Sequence, residues 1–378
     1  MGAYDPGMQT PYDFLQSVKI PIFGVVQGSM INRTPMLSRL PQAPLGSLSF
    51  KTSTTLYRPW QGTNVGAVSA NATSLTVVDA SVYLTGDVIE VDSEMYLITA
   101  INTGSNVITV TSGYASTTSA THADQAVVNL IGNTRTGGEI NVTGISRIPV
   151  TLTNYPQTFQ HPYFVGGSMA SASDFALPAG VASVLGRERS IAIVNCSEDV
   201  ERSIYYARPV GITSATTKPQ MAGMRSQIVT NNVFQPTNYA SFKPSDLIKN
   251  ATQPIITAGG NPNVMLMGPD WQYAFMLWSM PLVRITGPDL GFGVAAESFR
   301  APFLNDIQII ICPLMRAGSV FTLTSEEVRL RVKRNLFDKP RGSSGDADQG
   351  DIITECAVEV DNETHHGMIS GITGWTHD

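Results

Sequence analysis

"PAGVASVLGRERSIAIVNCSEDVERSIYYA", Pro178–Ala207, decides the fold. Pro178 suits the first turn of a helix, and Ser173 or Asp174 stands ready just ahead of it. No proline follows until Pro209, where Pro209–Gly211 breaks the pattern. The stretch predicts one continuous helix, ~45 Å long at about 1.5 Å per residue. Val181, Leu185, Ala192, Cys196, Val200 and Ile204 form a broad apolar stripe, with Glu188 and Asp199 inside it. Two acids on an apolar face predict a helix covered partly by polar contacts.

Strands dominate outward from this helix. On its C-terminal side, Ser245–Asn250 and Pro269–Trp278 are helix candidates, and Thr257–Pro269 reads as a turn and a strand. Residues 282–336 read mainly as strands, including "DIQIIICP" and "VRLRVKR". Lys339–Asp351, "KPRGSSGDADQGD", reads as a flexible loop. Ile352, Cys356, Val358 and Val360 alternate, "DNET" turns the chain, and Met368 and Ile372 share a face on the return. That pattern predicts a closing hairpin.

On the N-terminal side, Ile148–Val165 is β-like and Ser47–Trp60 suits an exposed strand. Gly62–Ser74 is small and polar, as a hinge would be. Gly86–Asn133 reads as a compact β-module that begins near Ser74. In it, Ile89 and Val91 share one side of a strand, and Met95, Leu97 and Ile101 one face of the next. Asn102–Asn106 is a turn by composition. At least five short strands at this spacing predict a small antiparallel barrel or sandwich. Residues 1–45 carry Pro at 6, 11, 21, 35, 41 and 44 and read either as an extended arm lying on another surface or as a frayed terminus.

The composition narrows the function. Hydrophobic residues are 42% of the 378 and charged residues only 14%. Uncharged polar surface is easily desolvated and suits large subunit contacts. A net charge of −6 opposes bulk binding of polyphosphate. The local basic runs Arg329–Arg334 and Gly186–Arg189 read as solvated faces. Cys196, Cys312 and Cys356 are too few and too scattered for a disulfide framework. No apolar run reaches the ~18 residues of a membrane span. No signal peptide is visible, so a reducing cytoplasm is the expected site of synthesis.

Catalytic equipment is not apparent. "GGSMA" at Gly166–Ala170 is not a nucleophile elbow, and His122, His161, His365, His366 and His377 form no H-E-x-x-H. Cys356 with His365 and His366 can be drawn as metal ligands, but no second cysteine or acid completes a known spacing. "GGEIN" and "AGGNPN" read as turns rather than phosphate cradles, and Glu326–Glu327 as surface. The expectation is a non-enzyme with no cofactor and no metal.

A set of motifs carries a family resemblance. Gly86–Asp87, Glu94, Gly113–Tyr114 and the pair His122–Ala123 resemble a β-insert of tailed-phage virion proteins. "NYPQTF", with Asn154, Tyr155, Gln157 and Phe159, resembles a stretch of phage major capsid proteins from which Pro156 and Thr158 depart. Gly223 in "MAGMR", Gly259–Gly260, "LGFG" with Gly293, and Gly345–Ile372 with Glu355 and Asn362 follow in the same order. Over residues 30–373 the chain is similar to tailed-bacteriophage major capsid proteins of the Hong Kong 97 type.

That resemblance implies an α+β Hong Kong 97-type (Johnson) fold with a small antiparallel β-barrel or sandwich inserted. It places an N-terminal arm at 1–46 and an extended loop at 47–140 carrying the insert at about 72–134. It assigns a peripheral domain to 141–214 and 341–378, with a spine helix at 178–207, and an axial domain to 215–340. It implies a structural protein forming pentamers and hexamers of an icosahedral shell around double-stranded DNA, without sequence-specific binding. Portal and cement or decoration proteins are the implied partners, no membrane is involved, and the implied place is the virion, assembled in the bacterial host's cytoplasm. The alternative is another virion component, a decoration or tail protein that shares the insert. Such a protein would lack the mid-chain helix and the closing hairpin. Lys51, alone in the loop, has no evident partner for a cross-link. The arm shows no scaffold-like helix, so no large removed segment is expected within these residues.

Overall fold

The computed structural model describes residues 33–54, 58–138, 144, 149–170, 183–214, 216–279, 298–300, 306–341 and 345–374. The chain divides into two compact units, residues Thr55–Val150 and the remainder on either side.

In the larger unit the helix Val184–Tyr206 lies on the strands Gln157–Gly166 and Ala347–Val360. Ala192, Cys196, Val200 and Ile204 are buried, as the stripe requires. They pack with Phe159, Cys356 and Val358 in the main core. The strands belong to a four-stranded sheet in the order Gln42–Pro44, Val328–Arg341, Ala347–Val360, Gln157–Gly166. The first pair is parallel and the other two are antiparallel. Every residue from Gly350 to Val360 is buried. This strand is therefore covered on both faces, and its period-two sequence pattern leaves no solvent side.

A six-stranded sheet forms the second layer, in the order Asn232–Phe234, Gly367–Ser370, Val320–Leu323, Val264–Met267, Asp306–Ile311, Ser298–Arg300. Alternation divides its side chains cleanly. Leu266, Phe321 and Met368 point into the main core, while Met265, Val320 and Ile369 point the other way. The second group packs with Phe242, Leu247 and Trp271 from the segments that cover that face. Trp271 meets Phe242 edge to face, with ring centroids 5.7 Å apart. Two apolar sheet faces and one helix stripe thus bury one another in layers.

Three expectations are corrected here. Gly367–Ser370 does not return along Ala347–Val360, so there is no closing hairpin. It pairs with Val320–Leu323 and Asn232–Phe234 in the other sheet. Val328–Arg341, placed with the axial strands by sequence, lies instead beside Ala347–Val360. Nor is Lys339–Asp351 simply a loop. Pro340 and Arg341 stay in register with Gly350 and Gln349, and Arg341 grips Asp351 with two bonds of 2.5 and 2.7 Å. A proline fits there because, among the described residues, no strand pairs with the other side of this stretch.

The smaller unit is a six-stranded antiparallel sheet in the order Gln61–Thr63, Val127–Asn133, Asp87–Val91, Glu94–Asn102, Val107–Thr111, Ser74–Thr76. Its outer strands also touch at an isolated bridge, Asn64–Val77. Gly62, expected in a hinge, is therefore a strand residue opposite Val128. The buried set is Leu75, Ile89, Val91, Tyr96, Ile98, Ile108 and Val128. Tyr96 and Ile98 face inward rather than Met95 and Leu97, and a register shift between Ile98 and Ala100 returns Ile101 to the same core.

Candidate functional site

The expected function is assembly, so the relevant sites are those that fix the arm, the helix and the insert. The helix begins later than the sequence suggests. Ser183 is extended, with φ −155° and ψ 159°, and its hydroxyl accepts a hydrogen bond of 3.1 Å from the Gly186 amide. Pro178, Ser173, Asp174 and Val181 lie outside the described residues. At the other end Tyr206 is the last helical residue and Ala207 is extended.

Of the acids expected on the stripe, Asp199 bonds His161 at 2.6 Å and pairs with Arg202. Burial pushes the Glu188 carboxyl above its usual range, with Arg187 opposing. The deepest carboxylates of this helix are two that the stripe passed over. Glu201 is fully buried and accepts from the Met36 and Leu37 amides at 3.0 and 2.7 Å and from the Tyr205 hydroxyl. It caps the short helix Pro35–Arg39, whose own Thr34 makes no side-chain cap. Burial raises the Glu201 pKa, and these three hydrogen bonds oppose the rise. Glu198 holds Arg33 at 2.8 Å. The arm's root is thus fixed on the long helix by contacts that no local sequence signal announces.

Asn154 is the pin between strands. Its amide donates to Ala222 O and Val358 O, and its oxygen accepts from the Ala222 and Tyr155 amides. Tyr155 lies over Gly211, where a Cβ would come within 2.8 Å of its ring. Gln157 accepts from the Met221 amide at 3.3 Å, and Phe159 is core. At Gly223 a Cβ would stand 2.5 Å from Ser203 O and 2.7 Å from Ala207 N, so only glycine lets this segment meet the helix end.

The crossover between the sheets runs through Asp361–His366. Asn362 is left-handed, with φ 47°, and donates to Glu327 at 3.1 Å. Its neighbour Glu363 receives the Val229 and Thr230 amides. Gly259 supplies φ 93°, while a Cβ on Gly260 would press the His365 backbone at 2.9 Å. His365 bonds Glu327 at 2.9 Å. His366 is fully buried: its Nδ1 accepts from the Thr324 amide at 3.3 Å, and its Nε2 donates to Asp361 O at 3.0 Å. The ring is therefore neutral with its proton on Nε2. Burial pushes its pKa down to about 4 from 6.5, against the pull of the Asp361 carbonyl, Glu327 and Glu363.

A base with a depressed folded-state pKa stabilises fully above its unfolded value. The contribution fades as pH falls from about 6.5 to about 4, and the shift amounts to about 3 kcal/mol. Urea midpoints of wild type should fall across that window relative to those of His366→Gln. Parallel pH profiles for the two chains would refute this assignment.

In the insert the motif residues form two polar clusters, one around Asp87 and one around Glu94 and His122. Gly86 has φ +87°, and a Cβ there would lie 2.6 Å from Thr134 O. Asp87 is fully buried, paired with Arg58, and accepts from the Leu84 amide and Asn133 at 2.6 Å each. Glu94, also fully buried, accepts from Ser112 at 2.6 Å, the Gly113 amide at 3.1 Å and the Ala120 amide at 2.8 Å. Burial alone would raise its pKa. Hydrogen bonds from Ser112, Ala120, Tyr96 and His122 outweigh that and hold it at about 2. His122 bridges Asp92 on one ring nitrogen and Glu94 and Tyr96 on the other. Gly113 has φ 67° and starts the turn at Tyr114–Ser116. The cluster around Glu94 ties the segment 112–122 down to its strand.

The basic run Arg329–Arg334 is not simply a solvated face. Arg331 pairs with Glu359, and Lys333 and Arg334 with Glu355. Cys356 lies in the main core, whereas His366 sits between Thr324 and Asp361. Among the described residues no group of three or more His, Cys, Asp or Glu could hold a metal ion. No described helix is long and apolar enough to cross a membrane. Gly293 lies outside the described residues.

Residues 24–373 match the family model of the SU10 major capsid protein. No curated protein matches the sequence. Among solved structures the chain is similar to one from Mycobacterium phage Bobi, with 9% identity, 97% of this chain and 99% of that chain covered, and a TM-score of 0.48. A chain from Mycobacterium phage Adephagia gives 10%, 96%, 98% and 0.46. The holo-SrpI encapsulin complex from Synechococcus elongatus gives 10%, 98%, 98% and 0.48. With a family match over nearly its whole length, the chain belongs to the SU10 major capsid protein family, the structural shell proteins of tailed phages.

Proposed function

We propose that copies of this chain form the pentamers and hexamers of a closed icosahedral shell around double-stranded DNA. The family match over residues 24–373 carries this reading. One sequence in two ring sizes needs contacts that tolerate different angles. On this reading the spine helix and its sheet stay rigid, while the arm and extended loop take up the difference. The peripheral region is the helix with the four-stranded sheet, and the axial region is the six-stranded sheet with its covering helices. The insert in the extended loop adds area over a neighbouring subunit. The role is structural and not enzymatic. Acidic residues number 30 against 24 basic ones, which disfavours tight, sequence-specific contact with the packaged DNA. Portal and cement proteins are the partners, and the bacterial cytoplasm is the place of assembly.

Negative-stain microscopy and sedimentation of the purified chain test the proposal. Rings, sheets or shells are expected. A monomer that persists at high concentration would overturn it.

A further inference from the structure

An acid-free stretch runs through the larger unit. Residues 202–245 carry Arg202, Arg208, Lys218, Arg225 and Lys243 and no Asp or Glu, in a chain whose net charge is −6. Two of these cations stand with a third around the C-terminal end of the helix Val184–Tyr206. Arg208 follows that end by two residues and is exposed. Arg225 belongs to the short helix Met224–Gln227, held there by the Ser226 hydroxyl, which donates to Ala207 O at 3.0 Å. Arg316 follows the strand Asp306–Ile311 and is exposed. Its amide donates to the Tyr206 hydroxyl at 2.9 Å, and its guanidinium carbon lies 4.4 Å from the centre of the Tyr206 ring. Burial raises the Tyr206 pKa. The Arg316 amide, Ser319 and the charges of Arg316 and Arg225 oppose that rise, and no carboxylate takes part.

Among the described residues none of Arg208, Arg225 and Arg316 pairs with a carboxylate, whereas Arg189, Arg331, Arg334 and Arg341 each do. The helix end offers about half a negative charge, which explains why cations gather there but offsets only part of three. What remains is a local positive field on an acidic protein. A guanidinium resting on a tyrosine ring keeps its fork of N–H donors available to an oxyanion. Three such forks call for several anions side by side. A DNA duplex supplies one phosphate per about 1.7 Å of its axis, so all three find a partner at once. We propose that Arg208, Arg225 and Arg316 form a docking surface for the phosphate backbone of double-stranded DNA at the C-terminal end of the spine helix. The proposal rests on the capsid reading, which puts a duplex inside the shell, and adds the place where the shell touches it. Backbone contact carries no base information, so the docking is independent of sequence.

Fluorescence anisotropy tests it, with a duplex of about 30 base pairs and mixed sequence titrated by the full-length, unassembled chain at about 20 to 100 mM salt. Wild type should bind with an affinity that falls as salt rises. R208Q/R225Q/R316Q should bind at least tenfold more weakly at the lowest salt. Its slope of log affinity against log salt should shrink by about 2.7, about 0.9 for each lost contact. Lys51, Lys249 and Lys339 are exposed, and K51Q/K249Q/K339Q removes the same charge elsewhere, with little change expected. Arg225 is half-buried, so R208Q/R316Q replaces the triple variant should that chain unfold, with a slope smaller by about 1.8. Equal losses from the arginine and lysine sets would overturn the proposal by tracing the binding to bulk charge. Undiminished binding by the arginine variant would overturn it too, and a drop in its shell yield would then assign the patch to an acidic segment of a neighbouring copy. Binding is read before assembly and shell yield after it, so failure of this proposal and failure of the capsid reading give different results.

Discussion

An Asn154→Leu chain should lose about 4 kcal/mol of stability, roughly twice the ordinary cost of a lost buried partner. Leucine has almost the shape of asparagine, so the loss is polar rather than steric. Asn154 is fully buried and makes four hydrogen bonds. Two of its partners have a second source of bonding. Gln227 also donates to Ala222 O at 2.7 Å and to Val358 O at 3.1 Å. The Ala222 and Tyr155 amides lose their acceptor, each at about 2 kcal/mol. A domain is stable by only ~5–15 kcal/mol in all, so the effect is large. Urea unfolding at neutral pH measures it as a lower midpoint with an unchanged slope. A loss under about 1 kcal/mol would mean that water replaces the amide, and the pin would then not be one.

Such pins explain what the sequence disclosed and what it hid. The helix was legible because its buried face repeats every few residues: Ala192, Cys196, Val200 and Ile204 encode it locally. Its start was misread because Pro178 is as good a first-turn residue as Ser183 is a cap, and only the extended Ser183 backbone decides between them. The strand after Asp351 was legible, but the partner of the next one was not. Met368 and Ile369 carry no mark of whether they will pair with Val360 or with Val320 and Asn232. Burial of His366 beside Thr324 fixes that choice, and Thr324 is 42 residues away. Glu201 escaped for a similar reason, since its partners Met36 and Leu37 are some 165 residues distant. The glycines and acids of the family motifs were visible as letters, and their causes are steric and polar. Gly223 admits a backbone against a helix end, and Glu94 collects donors from a loop.

Excision of residues 55–149, with a linker of about six Gly and Ser residues in their place, should separate folding from assembly. The insert's buried side chains, Leu75, Ile89, Tyr96, Ile108 and Val128 among them, pack with one another. Among the described residues, none of the buried clusters of the larger unit draws on residues 55–150. The strands that flank the excision, Phe50–Thr54 and Val150–Asn154, are hydrogen-bonded neighbours, so a short linker suffices. The shortened chain should therefore unfold cooperatively, with the larger unit's stability changed by about 1 kcal/mol or less. Assembly should respond quite differently. A shell sums many weak contacts, and removing one of them from every subunit multiplies through closure, so the yield of shells should fall on the order of tenfold or more. Sedimentation reads the yield, and denaturant unfolding reads the fold. Wild-type yields from the shortened chain would remove the lattice role proposed for the insert. A shortened chain that fails to fold would instead show that the larger unit draws its stability from the insert, contrary to the separation of their cores.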